Sequence, residues 1–196
     1  MIYEEQFDLA NIPRRFREID PKRFNPAVRD TIKNYVANIE TMFDEGWGLY
    51  LWGSHGGGKT AIACYLLSLA LRMGRKALFI LASDTTPYFM EKTPLTANLT
   101  YSERIGECDM LVIDDLVVKD RDNYSDSLVE KVIRKRVNDK KITILTTNLK
   151  PKTLEENHIA LSVLCLESMA ALKVDEAKFR EEKQSEIAKL LQLGET

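Results

Sequence analysis

The sequence predicts an α/β fold in which helices sandwich a parallel sheet, and three observations predict it. Short, nearly continuous apolar runs (Leu49 to Trp52, Ala77 to Leu81, Met110 to Ile113 and Ile142 to Thr147) alternate with stretches of helical period, the pattern of strands covered on both faces. Residues 53–60 read Gly53-Ser54-His55-Gly56-Gly57-Gly58-Lys59-Thr60, a G-x-x-x-x-G-K-T segment between the first of those runs and a helix-like run from Ala61 to Met73. The third run passes directly into Asp114-Asp115. Carboxylates are thereby expected at the C-terminal ends of the strands, where open parallel sheets bind ligands.

Taken in order, residues 1–47 form a lead-in and residues 48–196 the core of one domain, a size able to bury a substantial interior without disulfides. The lead-in holds Ile12-Pro13-Arg14-Arg15-Phe16, a turn at Asp20-Pro21, and a helix from about Pro26 to Phe43. Pro26 suits a first helical position, and Val28, Ile32, Tyr35, Val36, Ile39, Met42 and Phe43 recur at three- and four-residue steps. After the glycine-rich segment, a helix from Thr60 to Met73 stops at Gly74. A second strand, Ala77 to Leu81, precedes a weakly patterned stretch from Ala82 to Glu107, where Pro87 and Pro94 limit helices to short pieces. The third strand is followed by a helix over 125–138, a fourth strand ending at Asn148, a short apolar piece from Leu161 to Leu166, a fifth strand at Ala171 to Val174, and a charged helix from Asp175 to Leu191.

Composition excludes several classes. With 44% hydrophobic and 30% charged residues the chain is not disordered. A net charge of −2 means that nucleic-acid binding requires a local basic patch. Cys64, Cys108 and Cys165 are widely spaced and the two histidines stand alone, which points to a reducing cytoplasm and no metal-ligand cluster. No apolar stretch approaches membrane-spanning length and the N-terminus has no signal-peptide pattern, so no membrane association is expected.

The glycine-rich segment carries the chemistry. Its glycines let successive backbone N–H groups converge on a polyphosphate. Lys59 would reach the β- and γ-phosphates, the Thr60 hydroxyl would bind Mg²⁺, and the following helix aims its positive end at the same anion. Ser54 and His55 line the loop at variable positions and add no signal of their own. Asp114 is placed to hold Mg²⁺ directly or through water, and Asp115 to orient or deprotonate an attacking water. Asn148, at the end of the fourth strand, is placed to contact the γ-phosphate and that water. Isolated, the acidic pair and Asn148 would read as turn residues; behind a complete phosphate loop they read as a site. No Asn-Lys-x-Asp guanine-reading element is present, so the nucleotide expected is ATP.

These three segments, Gly48 to Thr60, Met110 to Leu116 and Ile142 to Leu149, resemble the AAA+ ATPase domain of DnaC/DnaI-type helicase loaders and of the related IstB transposition helper. Ile12-Pro13-Arg14-Arg15-Phe16 is similar to the segment that introduces that domain. The resemblance implies a five-stranded parallel sheet of order 5-1-4-3-2 in a P-loop NTPase fold of AAA+ type, with no sizeable C-terminal lid domain. It further implies assembly into an open ring or spiral that holds a hexameric replicative helicase or single-stranded DNA during DNA replication. It makes Asn148 a sensor residue and, by overlay of residues 163–180, Arg180 a second, arginine sensor. The overlay departs at Val163-Leu164, where the family carries Ser-Arg, so the arginine finger that completes a neighbour's ATP site is missing. Cellular loaders of this kind also carry a helicase-binding domain ahead of the ATPase, where this sequence has about fifty residues.

Several features stay open. Lys131, Arg134 and Lys135 share a helix face, with Arg136, Lys140 and Lys141 nearby; the face is solvated, or meets a neighbouring subunit or a DNA backbone. Arg134 or Arg136 is available to substitute for the missing finger. Phe179, Ile187, Leu190 and Leu191 give the last helix an apolar side for packing or for a partner, and Tyr88, Phe89 and Tyr101 serve as core anchors or stack on bases. The functions in competition are a helicase loader with weak hydrolysis in isolation, an IstB-like transposition helper, a non-hydrolysing switch or decoy that binds a cellular helicase loader, and a P-loop nucleotide kinase. The kinase needs an arginine-rich lid, and after Lys141 the chain has only Arg180.

Overall fold

A computed structural model describes residues 4–85, 101–117, 124–175 and 189. Helix α1, Glu4–Leu9, and two 3-10 turns, Arg14–Phe16 and Pro21–Arg23, lead to α2, Pro26–Ala37, and α3, Ile39–Glu45. Asn25 caps α2 by accepting from the Ala27 N–H at 3.0 Å, with Pro26 in the first turn. The single helix expected to Phe43 is in fact two. Asn38 leaves helical geometry at φ −110°, ψ 21°, and its side chain folds back to donate to the Asn34 carbonyl at 2.9 Å. A short polar side chain competing for backbone acceptors interrupts the helix while the apolar period runs on.

Strand β1, Gly48–Trp52, is followed by α4, Lys59–Arg72, β2, Ala77–Leu81, and a 3-10 turn, Ala82–Asp84. Then come α5, Tyr101–Glu107, β3, Met110–Leu116, α6, Tyr124–Asn138, and β4, Ile142–Thr147. Helices α7, Pro151–Asn157, and α8, Ile159–Ser168, precede β5, Met169–Lys173. The strands form one sheet in the order β2-β3-β4-β1-β5, and every pairing is parallel. This is the expected 5-1-4-3-2 order of a P-loop AAA+ sheet. The apolar piece at 161–166 belongs to α8, and β5 begins two residues before the expected Ala171.

Alternate residues of each strand enter two cores. On one face Leu49, Leu51, Met110, Val112, Ile142 and Ile144 pack with Ile62, Leu66 and Leu67 of α4. On the other, Tyr50, Leu111, Ile113 and Leu145 pack with Val129, Val132 and Ile133 of α6 and with Leu161, Leu164 and Cys165 of α8. The lead-in belongs to the first core, since Phe7, Ile12, Phe24, Val28 and Ile32 are buried in it. It also shields the sheet edge, because the Phe79 N–H of β2 donates to the Ala10 carbonyl at 2.8 Å.

Arg136 is 1% exposed and pins α6 to two sheet loops. Its guanidinium donates to Thr143 Oγ1 at 3.0 Å and to the carbonyls of Ile105, Cys108, Asp109 and Ile142 at 2.8, 2.9, 3.3 and 2.6 Å. Burial pushes its pKa down from the ordinary arginine value. Among the described residues, no helix is long and apolar enough to cross a membrane.

Candidate functional site

Because β1 lies between β4 and β5, the chain leaving β1 emerges beside the ends of both. Residues 53–58 turn there into the N-terminus of α4, with Gly58 at φ 94° as its cap, a left-handed conformation that favours glycine. The end of β5 lies against the loop: a Cβ on Gly57 would stand 2.4 Å from the Val174 carbonyl oxygen. Asp175 accepts from the Ser54 N–H at 3.2 Å and pairs with Lys173. That pairing, with the Ser54 bond behind it, holds the Asp175 carboxyl below the usual range.

Lys59 is 9% exposed, and its ammonium donates to the Gly53 and Ser54 carbonyls at 2.9 and 2.7 Å and to Asn148 Oδ1 at 2.8 Å. Asn148, just past β4, brings its amide nitrogen within 3.2 and 3.0 Å of the two ring nitrogens of His55. The Thr60 hydroxyl donates to Asp114 at 2.9 Å. Thr146 of β4 donates to the same carboxylate at 2.6 Å and accepts from the Asp115 N–H at 2.9 Å. Asp114 is 6% exposed. Burial raises its pKa above the usual carboxylate value, against the hydrogen bonds from Thr146 and Thr60.

Asp115 is exposed and lies at φ 57°, where the β3–β4 register shifts between Ile113 and Leu116. The bulge turns this carboxylate out of the sheet while Asp114 stays in it. A left-handed backbone at a non-glycine residue is the kind of local strain that collects at functional sites.

The structure thus brings Lys59, Thr60, Asp114 and Asn148 to one place, beside a loop in which Gly53, Gly56 and Gly58 have positive φ. The Thr60 hydroxyl and the Asp114 carboxylate supply the hard oxygen donors that Mg²⁺ takes, and the residues therefore fit that ion. Arg180 lies outside the described residues, as do Tyr88, Phe89 and nearly all of the expected 175–191 helix. Leu164 faces the core at 5% exposure, and the outward residues of α8 include Ile159, Val163 and Leu166. No arginine occurs between Pro151 and Lys173. Arg136, expected as a substitute finger, is excluded by its burial and its carbonyl partners; Arg134 is half exposed and pairs with Glu130 at 2.7 Å.

Sequence reading missed the positions of Thr146, Asp175 and the His55 ring. Thr146 had a signal, since a hydroxyl on the strand beside an acidic strand end faces the same way. Asp175 and His55 had none, because their partners are set by how β5 and β4 dock.

A family model described as IstB-like ATP binding protein matches residues 5–192. The fold is similar to the crystal structure of the DnaC helicase loader, at 22% identity and a TM-score of 0.70, covering 83% of this chain and 100% of that one. It is similar to the crystal structure of DnaI at 16% identity and a TM-score of 0.65, covering 84% and 92%. AMPPCP-bound DnaA from Aquifex aeolicus aligns at 18% identity and a TM-score of 0.58, covering 88% of this chain and 53% of that one. No curated protein matches the chain.

Proposed function

Because the chain belongs to the family of IstB-like ATP binding proteins, we propose that it is an ATP-controlled assembly factor of the helicase-loader kind, which grips a hexameric replicative helicase, with or without single-stranded DNA, in its ATP state. The observation that carries this reading is the meeting of Lys59, Thr60, Asp114 and Asn148 at the ends of β1, β3 and β4. Likeness in fold to DnaC, a helicase loader, and to DnaI supports the loader assignment within the ATP-binding family.

In this reading the amides of residues 53–60 and the α4 N-terminus bind the phosphates, and Lys59 neutralises charge on the β- and γ-phosphates. Thr60 and Asp114 would hold Mg²⁺, which would supply positive charge to offset that of the phosphates. Asp115, turned out by the bulge, orients or deprotonates the attacking water. Asn148 senses the γ-phosphate, and Arg180 is the second sensor. Hydrolysis by the isolated protein is weak, because the stretch overlaid on the family's finger carries no arginine.

A pull-down with hexameric replicative helicase tests the assignment, run in ATP and in ADP beside a parallel arm with a transposase. Helicase retained in ATP and released in ADP is the expected result. Retention of the transposase alone would move the chain to the transposition-helper side of the family. Retention of neither would reject the assembly-factor reading.

A further inference from the structure

The loop of residues 53–58 does little to hold its own shape. Its internal backbone contact, from the Gly57 N–H to the Ser54 carbonyl, is long at 3.4 Å. Gly53 lies at φ 141°, and a glycine exchanges one backbone conformation for another at little steric cost. The Gly53–Ser54 peptide is held instead at both ends by side chains of opposite charge. Its carbonyl accepts from the Lys59 ammonium at 2.9 Å, and its N–H donates to the Asp175 carboxylate at 3.2 Å. Each of these bonds has one ionised partner.

The end of β5 brings Asp175 there. The Val174 N–H donates to the Trp52 carbonyl at 2.7 Å, which carries the contact with β1 one step past the strand. The Val174 carbonyl oxygen then lies so close to the loop that a Cβ on Gly53 or on Gly57 would stand 2.4 Å from it. The pair with Lys173, with the Ser54 N–H and the Lys59 charge behind it, holds the Asp175 carboxyl low, so that it is ionised at neutral pH. By charge alone a carboxylate here opposes an anionic ligand. What it offers the loop is an acceptor.

Resting on the reading of this site as an ATP site, we infer that Asp175 is a positioning residue for the phosphate loop: by accepting from the Ser54 N–H it keeps the Gly53–Ser54 peptide from turning over, and so holds the loop in the form that takes the nucleotide. Without that bond the loop spends part of its time in other forms, and affinity falls by the fraction of time lost. Asp175 acts through Ser54 and on the loop as a whole, so it serves triphosphate and diphosphate alike.

Calorimetry with Mg-ATP and Mg-ADP on the full chain tests this by comparing Asp175→Asn with Asp175→Ala. The Asp175 side chain is 34% exposed, so neither substitution opens the core. Both variants lose the carboxylate charge and with it the pair with Lys173; only Asn keeps a side-chain oxygen that can accept from the Ser54 N–H. The comparison therefore separates the acceptor from the charge. Asp175→Asn is expected to bind both nucleotides several-fold more tightly than Asp175→Ala, up to about tenfold, the worth of one hydrogen bond. Equal affinities in the two variants, tighter binding by Asp175→Ala, or a difference confined to one of the two nucleotides overturns the inference while leaving the ATP site standing. Failure of the wild-type protein to bind ATP, or ATP binding that survives in folded Lys59→Ala, overturns the site and the inference together.

Discussion

Asp114 sits near the C-terminal end of β3 with two hydroxyls donating to it, and burial holds its pKa above the usual carboxylate value. A carboxyl that is harder to ionise folded than unfolded makes the folded state less stable as pH rises through its folded pKa. The nucleotide-free protein should therefore gain stability as pH falls from that value toward the unfolded carboxylate value of about 3.9. Asp114→Asn should flatten this dependence and raise the apo thermal midpoint at neutral pH, by about 1 kcal/mol in stability, while weakening Mg²⁺-dependent ATP binding about tenfold or more. Thermal melts across pH and calorimetry check both halves, and equal pH slopes in the two proteins would refute the burial argument. Asp115→Asn should keep ATP and trap the bound state, because Asn tolerates the left-handed backbone at φ 57°. Loss of ATP affinity equal to that of Asp114→Asn would remove the division of labour between the two acids. Lys59→Ala should keep the fold and lose nucleotide binding. At this scale the convergence of Lys59, Thr60, Asp114 and Asn148 was legible because a phosphate-loop spacing and polar strand ends can be read locally. His55, Thr146 and Asp175 were less so, since their partners lie 93, 32 and 121 positions away.

Among the elements, α6 is the one whose surface and interior the sequence mixed. Lys131, Arg134 and Lys135 are exposed on one face, as their spacing requires, whereas Arg136 is buried and clamps backbone carbonyls of the α5–β3 and α6–β4 connections. A charge run alone does not say which member turns inward. Arg136→Ala would remove the charged donor from those buried carbonyls and should destabilise the fold by about 3 kcal/mol, read as a lower urea midpoint; an unchanged midpoint would mean that water replaces the clamp at no loss. Strands β2 and β4 were legible to the residue because two-sided burial makes them continuous apolar runs. Helix α8 was seen only as an apolar piece, since a helix apolar on nearly every side has no period to read. The break between α2 and α3 was hidden because the apolar spacing continues across Asn38.

Viewed as a whole, the molecule brings the residues of the proposed ATP site together within one chain, and the stretch that the resemblance overlays on the family's arginine finger carries no arginine. The strand order followed from the resemblance and not from periodicity, which finds strands but does not order them. The place of β4 between β1 and β3 then explains why loop, acid and Asn148 converge. Leu164 is buried, and Arg136 cannot reach a neighbour. An arginine supplied in trans contributes on the order of 10³-fold or more to turnover in comparable NTPases. The most direct test is the steady-state ATPase rate, measured for the pure protein over a wide concentration range and again with the replicative helicase. The account predicts ATP binding with turnover barely above background at every concentration, rising only when the partner is present. A strong rate from the pure protein that climbs with its own concentration would contradict it, and would place the finger on another arginine of this chain, with exposed Arg134 the first to replace.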